Sequence, residues 1–167
     1  VDLVRLLCEA GETPRLQLTK GIHLGLPRER LPVSHIVIMR ARDRRGVFAV
    51  PHGPVTYVGT TDTFYDEPED YPRITMDDVN YLLEAVARTF VVEPPGPEDV
   101  VNAWAGLRPL LAEKGKIPSE ISRQDEIMLS STGLISIAGG KLTTFRRMAE
   151  RAVYLAVEKL GEDGRAL

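Results

Sequence analysis

Three short apolar segments follow one another with too little chain between them for anything but antiparallel pairing. Ile36 to Arg40 and Val47 to Val50 flank Asp43-Arg44-Arg45-Gly46, and Val55 to Thr60 follows Pro51-His52-Gly53-Pro54. A parallel pair needs a crossover of about a dozen residues or more, so these turns leave room only for hairpins. The run therefore predicts an antiparallel meander. Upstream, Leu16 to Leu18 and Ile22 to Leu26 read as one further extended region, ended by Pro27. Val1, Val4 and Leu7 are spaced by three, which predicts a short helix stopped by Gly11.

The period then changes. Met76, Val79, Leu82, Leu83, Val86 and Phe90 form one apolar stripe of a helix that Thr75 can cap, with Asp77 and Asp78 in its first turn and Arg88 near its end. Pro94, Pro95 and Pro97 prevent its continuation. Val100 to about Ala105, Ile127 to Leu129 and Leu134 to Ile137 read as further strands. A last helix runs from Thr144 to Leu160, with Phe145, Met148, Ala149, Ala152, Val153, Ala156 and Leu160 on one face and Gly161 as its stop. The fold class that follows is α+β, a mainly antiparallel sheet with flanking helices.

A chain of 167 residues suffices for one good core with a small appendage. Its 43% hydrophobic and 27% charged residues put it in the globular class. A net charge of −3, with no basic block, gives no reason to expect nucleic-acid binding. Cys8 is the single cysteine, so no disulfide forms within the chain; it is expected to be a small buried side chain of the first helix rather than a reactive thiol. No apolar run reaches the roughly 18 residues of a membrane span. Val1 to Ala10 carries Asp2, Arg5 and Glu9, which does not read as a signal peptide. A reducing, cytoplasmic setting fits these features.

Four places can carry chemistry. From Gly133 to Arg146 a short apolar strand runs into Gly139-Gly140-Lys141-Leu142-Thr143-Thr144 and then an amphipathic helix. Two glycines let a ligand or another backbone approach closely, and a helix start favours an electron-rich partner. A plain tight turn with Lys141 in solvent explains the same residues. Arg108 and Arg123 lie fifteen residues apart. Paired guanidinium forks suit a phosphomonoester dianion, and a pair of surface salt bridges is the alternative. His23 stands among apolar residues on a strand, where it is either a hydrogen-bonded structural residue or a base that titrates in the useful range. Thr61 and Asp62 are read as turn residues or as part of a pocket wall, Trp104 as a core anchor rather than a ligand platform, and His35 and His52 as structural. The three histidines show no metal-ligand spacing, so no metal site is expected.

Trp104-Ala105-Gly106-Leu107-Arg108-Pro109-Leu110, Ser122-Arg123-Gln124-Asp125, Lys20-Gly21-Ile22-His23, Val58-Gly59-Thr60-Thr61-Asp62-Thr63 and the double-glycine turn resemble, in order and spacing, FAD-dependent glycerol-3-phosphate dehydrogenases. The resemblance covers nearly the whole chain. It implies FAD as cofactor, sn-glycerol 3-phosphate as substrate, dihydroxyacetone phosphate as product and a quinone as electron acceptor. It places Arg108 and Arg123 at the phosphate and His23 at the substrate as base. Gly139, Gly140, Lys141 and the amides of Leu142, Thr143 and Thr144 are placed at the flavin, where Lys141 steadies negative charge on the reduced ring. It implies three parts: 1–12 and 132–167 in an FAD domain, 13–131 as substrate domain. The Gly-x-Gly-x-x-Gly unit that holds a dinucleotide is absent, so the chain reads as a fragment of a two-domain FAD-dependent oxidoreductase. The parent is expected in the cytoplasm, with peripheral contact at the inner face of the membrane left open. Two alternatives stay open as well: a glycerol-3-phosphate oxidase that uses oxygen, and a flavin-free phosphate-ester binding module.

Overall fold

The computed structural model describes residues 1–8, 11, 13–67, 72–112, 115, 121 and 124–162. The chain divides into two compact units, Leu18–Arg108 and the two flanking pieces Val1–Gln17 with Pro109–Leu167. The expected α+β class is what the structure shows, with an antiparallel sheet and flanking helices.

In the unit Leu18–Arg108 the meander forms as expected. Strands β1 (Leu16–Pro27), β2 (Val37–Arg40), β3 (Gly46–His52), β4 (Val55–Gly59) and β5 (Thr63–Phe64) lie in the order β2-β3-β4-β1-β5. The first turn brings Arg40 opposite Gly46, and the second brings His52 opposite Val55. β1 takes β4 on one side, with His23 opposite Gly59, and β5 with Lys20 opposite Thr63. β6 (Asn102–Leu111) also pairs with β1. It runs the opposite way, since Val101 N–H bonds Gly25 O and Ala112 N–H bonds Arg15 O.

Alternation along these strands sorts the two faces. Ile22, Leu24 and Leu26 of β1, Met39 of β2, Val47 and Ala49 of β3 and Val58 of β4 point into the core. They meet Val79, Leu82, Leu83 and Val86 of helix α2 (Met76–Thr89). Each of these side chains other than Ala49 contributes about 1.5–3 kcal/mol on burial. Met76, expected in the stripe, is exposed because it is the first helical residue. Thr75 caps α2 as expected and is reinforced by Asp78 in a reciprocal capping box. The opposite face of the sheet carries His23, Phe48, Tyr57 and Trp104, and is the face on which the candidate chemistry gathers.

The flanking pieces hold helix α1 (Asp2–Cys8), the hairpin β7 (Asp125–Leu129) with β8 (Ile135–Gly139), and helix α3 (Phe145–Glu162). α1 is anchored by Asp2, whose carboxylate accepts the backbone N–H groups of Arg15 and Leu16, each at 2.9 Å. That anchor turns Arg5 inward, so Leu3, Leu7 and Cys8 are exposed and the expectation of a buried Cys8 is corrected. α3 is tied to β7 by an Arg151–Asp125 ion pair. It begins after a single 3-10 turn, Leu142–Thr144, and runs one residue past Gly161, so that glycine is not the stop. A glycine in the last, fraying turn costs a helix little. Phe145, Ala149 and Val153, expected on the packed face, are exposed. No helix among the described residues is long and apolar enough to cross a membrane.

Candidate functional site

On β6, Asn102, Trp104, Gly106 and Arg108 share one face by alternation, while Ala105 packs against the core. On β1, Gly21 and His23 likewise share the face opposite Ile22 and Leu24. Pairing of β1 with β6 therefore sets Arg108, Trp104 and His23 on one side of the sheet, which no local motif spells out.

Arg108 is firmly held there. Its Nη1 donates to Asp62 Oδ1 at 3.1 Å, and its Nη2 donates to Thr60 Oγ1 at 2.9 Å and to the Thr61 carbonyl at 3.2 Å. The loop that supplies these acceptors is itself fixed. Thr61 is 2% and Asp62 8% exposed, and Thr61 Oγ1 accepts the N–H of Ile22 at 3.1 Å. Arg45, paired with Asp43, donates to the Asp62 carbonyl at 2.6 Å and lies over the Tyr81 ring. Residues 60 to 62 are thus not an idle turn: they orient the arginine. Arg108 pairs with Asp62, and the ion pair fixes where the guanidinium points.

His23 lies parallel to Trp104, with centroids 5.1 Å apart and planes 7° from one another. Tyr57 meets the indole edge-on at 4.9 Å, and His52 stacks on Tyr57. Trp104 is 42% exposed, which corrects the expectation of a core anchor: its alternation partner Ala105, not the indole, faces the core. Loss of water, and secondarily the positive charge of Arg108, lower the His23 pKa below the usual 6.5. The imidazole is therefore neutral at neutral pH and able to accept a proton.

That shift has a stability consequence. Because the folded value lies below the unfolded one, the unfolded chain takes up this proton first as pH falls. The contribution is steady above about pH 6.5 and is lost progressively from there through the folded pKa. NMR titration of the His23 ring is expected to give a midpoint below about 6.5. Replacing Arg108 with glutamine should raise it only in part, since burial persists. A midpoint at or above the free-histidine value would remove the argument for a neutral base.

In the other unit, the double glycine adopts the left-handed conformation at both residues, φ +76° each. Lys141 follows in extended backbone, its N–H donating to Thr144 Oγ1 at 3.2 Å. The Thr144 N–H is already spent on the Lys141 carbonyl at 2.9 Å. This leaves the first amides of the turn, Leu142 and Thr143, without intrahelical acceptors. Beside them opens a cavity of about 400 Å³ lined by Ile137, Gly139, Gly140, Lys141, Phe145 and Met148 among others. It joins an apolar wall to one ammonium group and a helix start.

Arg123 lies outside the described residues. Among the described residues no group of three or more His, Cys, Asp or Glu side chains is arranged to hold a metal. Sequence reasoning overlooked Gly21, Gly59 and Tyr57. A glycine inside a strand marks close approach by another group, and that signal was available for both glycines.

Comparison with known proteins bears on the chain as a whole. The chain is 46% identical over 164 residues to the aerobic glycerol-3-phosphate dehydrogenase of Bacillus subtilis (strain 168), covering 98% of this chain and 30% of that protein. It is 43% identical to the Staphylococcus aureus (strain USA300) protein of the same name, of which it covers 29%. The crystal structure of the Bacillus halodurans glycerol-3-phosphate dehydrogenase, complexed with FAD, superposes with a TM-score of 0.76 at 43% identity, over 87% of this chain and 27% of that one. The chain thus spans about three-tenths of the length of the curated relatives it matches. Residues 1–153 match the family described as FAD dependent oxidoreductase, and with most of its length inside that match, the chain belongs to this family.

Proposed function

We propose that this chain is part of a flavoenzyme that oxidises sn-glycerol 3-phosphate to dihydroxyacetone phosphate and passes the electrons to a quinone. The observation that carries the reading is the placing of an oriented guanidinium and an imidazole on one face of one sheet. The relatives' names and the FAD-complexed neighbour supply the substrate and cofactor class. Their name, dehydrogenase, supports an acceptor other than oxygen. A quinone acceptor would bring the parent protein to the membrane surface from the cytoplasmic side.

In this reading Arg108, with Arg123, holds the phosphate through charge-assisted hydrogen bonds. Asp62 and Thr60 keep the Arg108 fork in one orientation, so little entropy is lost when the phosphate arrives. His23 takes the hydroxyl proton of the secondary alcohol on an imidazole nitrogen. Trp104 covers one side of that ring and keeps water from it. FAD, when bound, supplies the hydride acceptor. The residues beside the cavity fit the flat, apolar flavin ring and its electron-rich edge: Ile137, Phe145 and Met148 offer the apolar wall, and Lys141 with the turn amides offers positive potential. We assign 1–12 and 132–167 to the FAD domain of the parent and 13–131 to its substrate domain.

Arg108→Ala in the parent enzyme is expected to remove about 1.5–3 kcal/mol of charge-assisted binding. That lowers kcat/KM for glycerol 3-phosphate by roughly one to two decades. Glycerol, which lacks the phosphate, should lose far less. Equal losses on both substrates in steady-state kinetics would show a folding defect and refute the phosphate assignment.

A further inference from the structure

We infer that Gly21 and Gly59 are positioning residues, their absent side chains forming the seats on which the Arg108 guanidinium and the His23 imidazole lie. A methyl group on Gly21 would stand 2.1 Å from Arg108 Nη2, 2.5 Å from Cζ and 2.6 Å from Nη1. All three atoms belong to one guanidinium, so the group lies directly against the glycine. A methyl on Gly59 would stand 2.1 Å from His23 Cδ2 and 2.7 Å from both Cγ and Nε2. Gly59 is the residue directly opposite His23 in the β1–β4 ladder, so the ring leans across the gap that glycine leaves.

Neither glycine has a positive φ, so a left-handed backbone is not the reason for either. A strand glycine weakens its strand relative to alanine. Two of them on adjacent strands therefore call for a reason, and the overlying groups supply it. Gly106 of β6 makes the contrast, since a methyl there meets nothing within 4 Å. The seats also differ in kind. The guanidinium ends a long flexible side chain and gives way by straining its hydrogen bonds to Asp62 and Thr60, whereas the imidazole sits close to its own backbone and has little freedom to give.

The inference rests on the roles proposed above for Arg108 and His23, and two double-mutant cycles in the full-length enzyme test it separately from them. Gly21→Ala should raise KM for glycerol 3-phosphate by about tenfold while retaining kcat, because it lifts the fork off its seat. Added to Arg108→Ala, it should cost nothing more. Gly59→Ala should lower kcat by about 10²-fold with KM little changed, since a displacement of about 1 Å is enough for that. Added to His23→Ala, it too should cost nothing more. Should Gly59→Ala alone fail to fold, the double variant with His23→Ala should fold, for the methyl then has space. Impaired Arg108→Ala and His23→Ala enzymes beside unaffected glycine variants would overturn the seats alone. Fully additive losses, or a double variant that stays unfolded, would do the same. Unimpaired Arg108→Ala and His23→Ala enzymes would take down the functional reading and this inference together.

Discussion

Asp78→Ala is expected to destabilise the unit Leu18–Arg108 by about 3–5 kcal/mol, a large share of the stability of a domain this size. Lys20 Nζ meets Asp78 Oδ2 at 2.6 Å with both side chains under a tenth exposed, 9% and 6%. Lys20 also donates to the Arg73 carbonyl at 2.8 Å. The same carboxylate oxygen accepts the Thr75 backbone N–H at 3.0 Å and the Thr75 hydroxyl at 2.9 Å. One carboxylate thus closes the capping box of α2 and ties that helix to β1 immediately before Gly21 and His23. Alanine removes the cap and strands an ammonium group out of water, which is why the expected cost exceeds that of a surface pair. Urea unfolding followed by the fluorescence of Trp104, the only tryptophan, reads this unit. Adding Lys20→Met to Asp78→Ala should recover part of the loss, because no buried charge is then left alone. A single variant within about 1 kcal/mol of the parent chain would show the pair to be as weak as an exposed one.

What was legible in the sequence was what is local. The turns at Asp43–Gly46 and Pro51–Pro54 fix their hairpins within a few residues, and α2 announces itself by its stripe, its cap and its prolines. Tertiary pairing was less legible. Lys20 and Asp78 are 58 positions apart and neither stands in a pattern that names the other. Trp104 reads as core by residue type, yet the alternation of Asn102, Trp104, Gly106 and Arg108 against Ala103, Ala105 and Leu107 already puts it with the polar set. The stripe of α1 misleads for a different reason. Asp2 grips the chain at Arg15 and Leu16 and so decides which side of a two-turn helix faces inward. Of the candidate site, His23, Arg108 and Lys141 were found from residue chemistry together with family resemblance. The residues that aim the arginine, Asp62 and Thr60, become visible only when strands pair.

Gly139→Ala should be the more damaging of the two changes in the double-glycine turn, by an amount that separates its structural meaning from any contact with a ligand. Both glycines sit at φ +76°, a conformation that costs an L-residue roughly 1–2 kcal/mol. Beyond that common term they differ. A methyl on Gly139 would stand 2.4 Å from the Gln124 carbonyl oxygen, a backbone atom of the chain entering β7. A methyl on Gly140 would stand 2.4 Å from Met148 Sδ, an adaptable thioether that can swing aside. Overpacking against rigid structure adds about 1–3 kcal/mol, so Gly139→Ala is expected to lose about 2–5 kcal/mol in all. Gly140→Ala should lose little beyond the common term. Hydrogen exchange of the β7–β8 amides measures this locally, since Trp104 reports the other unit. The cofactor is not needed for that experiment, so a loss in its absence shows the first glycine answering to Gln124 rather than to a ligand. Equal losses at the two positions, or a larger one at Gly140, would mean that φ alone governs the turn. The close approach of Gln124 would then have no energetic weight.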